Sequence, residues 1–268
     1  MQMKIDTQIR SPAVAGKLYP DNSDELSSSL QRYLQQNKTL LLNKKPLALI
    51  VPHANYHYCA PIAASAYKQI VPFAQEISRV VLLGPAHHEP LLGIATSNAD
   101  AFQTPLGNVP LDKYAIQQLS QFPFVQVNEA VHHQEHSLEV QLPFLQKILP
   151  KFRIIPLVIG QLEDRYISDI INSLWQEDNT LFLASSDLSH YLDYTRAVHC
   201  DQATANAIEN LQAKDIHYEQ ACGRSAIAGL LLSAQKHGLQ AQTLDLRNSG
   251  DTQGDKEHVI GYGAWAFY

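Results

Sequence analysis

Histidine is where the chemistry of this chain concentrates. Twelve occur in 268 residues, against two methionines and two tryptophans, and imidazole is both the commonest protein metal ligand and the side chain titrating nearest neutral pH. Three follow short apolar runs within a few residues: Val51-Pro52-His53, Leu83-Gly84-Pro85-Ala86-His87-His88 and Ala184-Ser185-Ser186-Asp187-Leu188-Ser189-His190. If those runs are neighbouring parallel strands, their carboxyl ends bring the histidines to one edge, where open α/β sheets bind ligands. A single histidine after a strand reads equally as a surface or capping residue; three in the same relation point to a shared site. His88 competes with His87 for it, because adjacent residues rarely reach one ion together, and the other becomes a donor behind the ligands.

Further polar groups could join them. Asp187, three residues before His190, suits a carboxylate that orients a base, or a plain helix cap. Glu135 and His136 lie in a polar loop, Glu129 to Ser137, that could reach the site, whereas Ser137 and Glu139 read as ordinary capping of the next helix. Cys222 precedes an apolar helix and stands near Arg224; both features lower a thiol's pKa, making it a candidate ligand or nucleophile. Packing is the plainer alternative for it, and the default for Cys59 and Cys200. His57 shares a helix face with His53 only if a helix starts before Pro61. His199, His217, His237 and His258 have no comparable context.

The elements that must position these residues are legible as alternation. Apolar runs of four to seven residues at Leu47–Val51, Arg79–Leu83, Arg153–Ile159 and Thr180–Ala184 suit strands buried on both faces. Helical spacing predicts helices over Asp24–Gln36 with Ser23 as cap, Pro61–Ile70, Asp112–Ser120, Ser137–Ile148, Asp164–Trp175, Asp193–Leu211 and Ser225–Lys236. The tail Val259–Tyr268 alternates small and aromatic residues and reads as a strand. Strand–helix alternation without repeats or linkers predicts one α/β domain over residues 1–268, an αβα sandwich around a mixed, mainly parallel sheet.

Composition closes off several classes. Net charge is −6 with no long like-charged run, which argues against a nucleic-acid arm or a polybasic membrane patch. No apolar stretch is long enough for a membrane span, and the first eleven residues lack a signal-peptide core. Three scattered cysteines without a CxxC pattern favour a reducing cytoplasm over a disulfide framework. The dinucleotide, P-loop, nucleophile-elbow and HExxH signatures are all absent.

The blocks Ser11-Pro-Ala-Val-Ala-Gly-Lys-Leu-Tyr-Pro20, Val51-Pro-His-Ala-Asn-Tyr-His-Tyr-Cys-Ala60, Leu83-Gly-Pro-Ala-His-His88 and Glu135-His-Ser-Leu-Glu-Val-Gln-Leu-Pro-Phe144 follow one another in order. Ser185-Ser-Asp-Leu-Ser-His190, Cys222-Gly-Arg224 and Gly261-Tyr-Gly-Ala264 complete them. Together they resemble the Memo family, and the resemblance spans essentially the whole chain. It implies a fold akin to the class III extradiol (LigB-like) dioxygenases, which hold non-haem Fe(II), and a functional link to radical SAM and AMMECR1-like proteins, the AmmeMemoRadiSam set. By motif position it puts the metal on His53, His87 and Cys222, with Asp187 and His190 as catalytic groups. Cys222 stands where those dioxygenases carry Glu, and thiolate shifts preference towards copper, zinc or thiolate-bound iron. Asn55 stands where Gly is usual in the family.

Two functions follow as expectations. One is a metal-dependent, dioxygenase-like oxidoreductase using Fe(II) or copper, with zinc also admitted by the donors, acting on a small molecule or peptide. Its set is His53, His87 and Cys222 on the metal, His190 and Asp187 as catalytic pair, and His88, Glu135, His136 and Arg224 around substrate or ligands. The alternative is a non-catalytic module that binds a peptide or anion in the same pocket.

Overall fold

Apolar runs that end at Pro, Gly or Ser frame the protein, and the computed structural model describes residues 7–175, 178–252 and 254–268. The chain opens with β1 (Ile9–Arg10) and α1 (Ser23–Gln36), then alternates through β2 (Ala48–Val51), α2 (Tyr56–Ile70) and β3 (Arg79–Pro85). Short pieces follow: β4 (Ile94–Thr96), β5 (Ala101–Thr104), β6 (Gly107–Pro110), α3 (Lys113–Leu119), β7 (Val125–Val127) and α4 (Glu129–His133). Next come α5 (Leu142–Ile148), β8 (Arg153–Ile159), α6 (Asp164–Leu174) and β9 (Thr180–Ser185). The last part runs through β10 (His190–Leu192), α7 (Tyr194–Glu209), α8 (Arg224–Lys236), β11 (Ala241–Asn248) and β12 (Val259–Phe267).

The large sheet has the order β10-β12-β2-β9-β3-β8-β4-β7, with β11 also paired to β12, and β1-β5-β6 form a separate small sheet. Its centre, β2-β9-β3-β8, is parallel, and antiparallel pairings flank it at β12 and β4. Moving from β2 to β3 and from β3 to β8 steps one way along the sheet, while β8 to β9 steps back. Right-handed crossovers therefore put α2 and α5 on one face and α6 on the other. Contacts agree: α1 packs with α2 and α5, and α6 packs with α8. The expected α/β sandwich forms, with its parallel part at the centre. In β12 the small residues make room for the large ones, since a Cβ on Gly263 would run into the Trp265 ring.

Register explains why this fold can build a site. Val51 pairs with Ser185 and Pro85 with Ile159, so the central strands finish level and their following loops leave one edge. Two boundaries differ from expectation near that edge. Helix α2 begins at Tyr56, not Pro61, because the Asn55 side chain accepts from the His57 amide and caps it; Pro61 is carried in the second turn, and His57 is exposed. The predicted Ser137–Ile148 helix is split into a 3-10 turn, Glu139–Gln141, and α5, whose first turn takes Pro143.

Candidate metal centre

His53 leaves the end of β2 buried. Its amide donates to Asp187 Oδ1 at 2.8 Å, and its Nδ1 lies 2.9 Å from Ser185 Oγ. His87 leaves the end of β3 and is held twice by Glu135: the amide donates to Oε2 at 2.7 Å, and Nδ1 lies 2.9 Å from Oε1. Glu135 Oε1 also accepts from the His136 and Ser137 amides. Burial alone would raise this carboxyl, but the His87 ring and those amides outweigh it and hold it well below the usual range. An ionised carboxylate only accepts, so Nδ1 of His87 carries a proton, and Nε2 is the nitrogen left to meet an ion.

One carboxylate thus gathers two loops, and the second brings His136 beside the first two histidines. The ligand atoms of His53, His87 and His136 all lie within 4.8 Å of one another. His53 meets His87 edge-on at 5.1 Å between centroids and 75°, and His136 at 5.5 Å and 89°; His87 and His136 are stacked at 4.6 Å and 24°. Burial, with the neighbouring His87 and His136, pushes His53 well below its ordinary value. Burial likewise lowers His136 to about 4. Both rings are therefore neutral at pH 7, the state a metal requires.

Cys222 stands next to His53, with Sγ 3.2 Å from Nε2. It does not belong to the three-histidine group. Its thiol departs from the sequence expectation: burial and the Asp187 carboxylate push it up to about 12. The cation expected to lower it is engaged elsewhere, since Arg224 pairs with Asp164, donates to the Ile216 carbonyl and lies over the Tyr218 ring. Arg224 therefore braces α8 against α6 and does not join the histidines.

His190 is oriented differently from expectation. Its Nδ1 is 2.7 Å from the Leu188 carbonyl, an acceptor only, so Nδ1 carries a proton and Nε2 is the nitrogen turned to other partners. Asp187 instead sits beneath His53, where burial raises its carboxyl to about 6 against the pull of the His53 amide. His88 is exposed, with its ring 5.8 Å from His136. Together with Lys17, His133 and His136 it lines a groove of about 850 Å³. A second cavity of about 420 Å³ is bounded by Cys222, Tyr218 and Leu91.

Two residues that sequence reasoning assigned no site role, or only a capping role, hold the histidine-bearing loop down. Buried Arg10 donates to the His132 and Glu135 carbonyls and pairs with Glu139 at 2.7 Å. Glu139 is no cap: it accepts from the Ala13 and Val14 amides and the Tyr19 hydroxyl as well. The only signal was a charged residue amid the apolar run Leu138–Phe144, which fits a buried partner better than a helix start.

These residues lie in the blocks that carried the family resemblance, and comparison with known proteins bears it out. The Memo-like protein family model matches residues 10–266. The chain belongs to the Memo family. A MEMO1 family protein of Aquifex aeolicus is 33% identical over 267 residues, covering 95% of this chain and 97% of the relative. Memo relatives from Nitrosopumilus maritimus (32%, covering 97% and 99%) and Methanosarcina barkeri (33%, covering 96% and 98%) match as fully. A crystal structure of an uncharacterized Escherichia coli K12 protein superimposes on 83% of this chain and 99% of its own, with TM-score 0.48 and 12% identity. Among the described residues of this Memo chain, no helix is long and apolar enough to cross a membrane.

Proposed function

We propose that this chain is a metal-dependent oxidoreductase holding iron or copper through His53, His87 and Cys222, with His190 as its acid/base group. The observation that carries the reading is the convergence of imidazoles and a thiol on one sheet edge. Imidazole and thiolate suit borderline and soft ions such as copper, zinc and thiolate-bound iron. When bound, iron or copper would supply one-electron redox chemistry that no side chain of the set has.

His136 lies within the histidine group and competes with Cys222 as third ligand. An imidazole lone pair lies in its ring plane, and rings stacked at 24°, as His87 and His136 are, aim their lone pairs poorly at one ion. Cys222 Sγ is 3.2 Å from His53 Nε2, and losing its proton to an incoming cation makes it a ligand. His136 is then left to contact whatever occupies the groove it lines with His88. His190, with Nδ1–H tied to a carbonyl, is set to take or give a proton at Nε2. Asp187 holds the His53 backbone in place from below.

The test is metal content of protein purified without an affinity tag, followed by oxygen consumption with ascorbate and with catechols. Iron or copper should be retained in proportion to protein, and chelation should abolish consumption. Retained metal with no turnover on any reductant would favour the alternative, a binding module using the same pocket. Failure to retain either ion after anaerobic reconstitution would end the proposal.

A further inference from the structure

A histidine placed as a ligand still has to present a bare nitrogen, and His53 lacks the carboxylate that settles this for His87. Its Nδ1 faces a hydroxyl, which can donate or accept. The surroundings of that hydroxyl remove the choice. Ser185 Oγ has one proton and two lone pairs and three partners: the Ser137 carbonyl at 2.6 Å, Gln141 Nε2 at 2.8 Å and His53 Nδ1 at 2.9 Å. The carbonyl can only accept, so it takes the hydroxyl proton.

Gln141 is fixed as the donor by its other contacts. Its Nε2 also lies 3.0 Å from the Pro52 carbonyl, and its Oε1 is 2.7 Å from the Tyr67 hydroxyl. Turning the amide over would set oxygen against the Pro52 oxygen. One lone pair of Ser185 is therefore filled by Gln141, and the remaining partner, His53, can only donate. Ser185 and Tyr67 are fully buried, and Gln141 and His53 nearly so, so water does not offer an alternative partner.

We propose that Ser185, braced by Gln141 and Tyr67, is a positioning residue that locks His53 in the Nδ1–H tautomer. Nε2 then faces Cys222 with its lone pair bare, accepting the thiol proton in the metal-free protein and free for an ion when that proton leaves. The value of this lock for metal retention rests on the proposed metal function, but the tautomer itself does not. Ligand-orienting hydrogen bonds of this kind are worth about 10–100-fold in metal affinity. Gln141, in the Glu135–Phe144 block, thereby gains a role through another residue without touching the site.

Long-range ¹H–¹⁵N NMR of the metal-free protein labelled at histidine nitrogens reads the tautomer directly. The expected spectrum shows His53 protonated at Nδ1 in the wild type. It also shows a shift towards Nε2–H in Ser185→Ala, with Ser185→Thr restoring the wild-type pattern. Zinc titration of the same samples should show about 10-fold or more loss of affinity in Ser185→Ala, recovered in Ser185→Thr. His53 protonated at Nε2 in the wild type overturns the proposal even if neither variant folds. So does an unchanged tautomer in a folded Ser185→Ala. A correct tautomer with no zinc binding to the wild type leaves the lock standing and removes the metal reading instead.

Discussion

A thiol buried beside a neutral imidazole keeps its proton until a cation displaces it, and that competition defines Cys222. Its thiol is pushed up to about 12, so metal binding must release a proton and weaken as pH falls. Replacing Cys222 by Ser should cost at least about 10-fold in metal affinity, whereas His136→Ala should leave binding near wild type, both read by titration under reducing conditions. Equal losses would make His136 a ligand. His190 is separated from the metal set by role: His190→Ala should retain metal while losing turnover by about 10²-fold or more, as general acid–base groups do. Metal loss matching His53→Ala would make it a ligand instead.

At the scale of elements, the site depends on how closely α8 approaches the end of β9. A Cβ on Gly223 would come within 2.5 Å of the Ser185 carbonyl oxygen and 2.6 Å of Ser186 Cβ. Gly223→Ala must push the start of α8 outward and carry Cys222 with it. We expect a loss of about 1–3 kcal/mol in denaturant unfolding together with weaker metal binding; normal values for both would mean the approach is not needed. The strands at this edge were legible because continuous apolar runs ending at Pro52, Gly84 and Ser185 have few other uses, and parallel pairing then brings their loops together. The loop of Glu135 and His136 was only partly legible. Its place is set by Arg10, 125 residues away from Glu135 in sequence, and no local pattern announces such a partner. Likewise Glu139 looks like a helix cap until Arg10, Tyr19 and two amides are seen to surround it. Orientation was the least legible property, since Leu188 rather than Asp187 directs His190 through a backbone carbonyl that every residue possesses.

Across the whole molecule, buried ionisable groups pull stability in opposite directions with pH. Burial lowers His132 from its ordinary 6.5 to about 4, so its contribution is complete above pH 6.5 and is lost as pH falls towards 4. Asp187 and Asp201, raised by burial to about 6, contribute below about 4 and lose that contribution as pH rises through 6. In the metal-free protein, His132→Gln should flatten the pH dependence of unfolding free energy between 4 and 6.5 by up to about 1.4 kcal/mol per pH unit. An unchanged slope would show that the ring is not held neutral. In the proposed function His53, the other buried histidine, and its neighbours hold the metal. X-ray absorption at the metal edge of reconstituted wild type reads their coordination. With zinc as the probe, imidazole nitrogens together with one sulfur at about 2.3 Å are expected. A shell of nitrogen and oxygen alone, with no sulfur, rules the thiol out of the site.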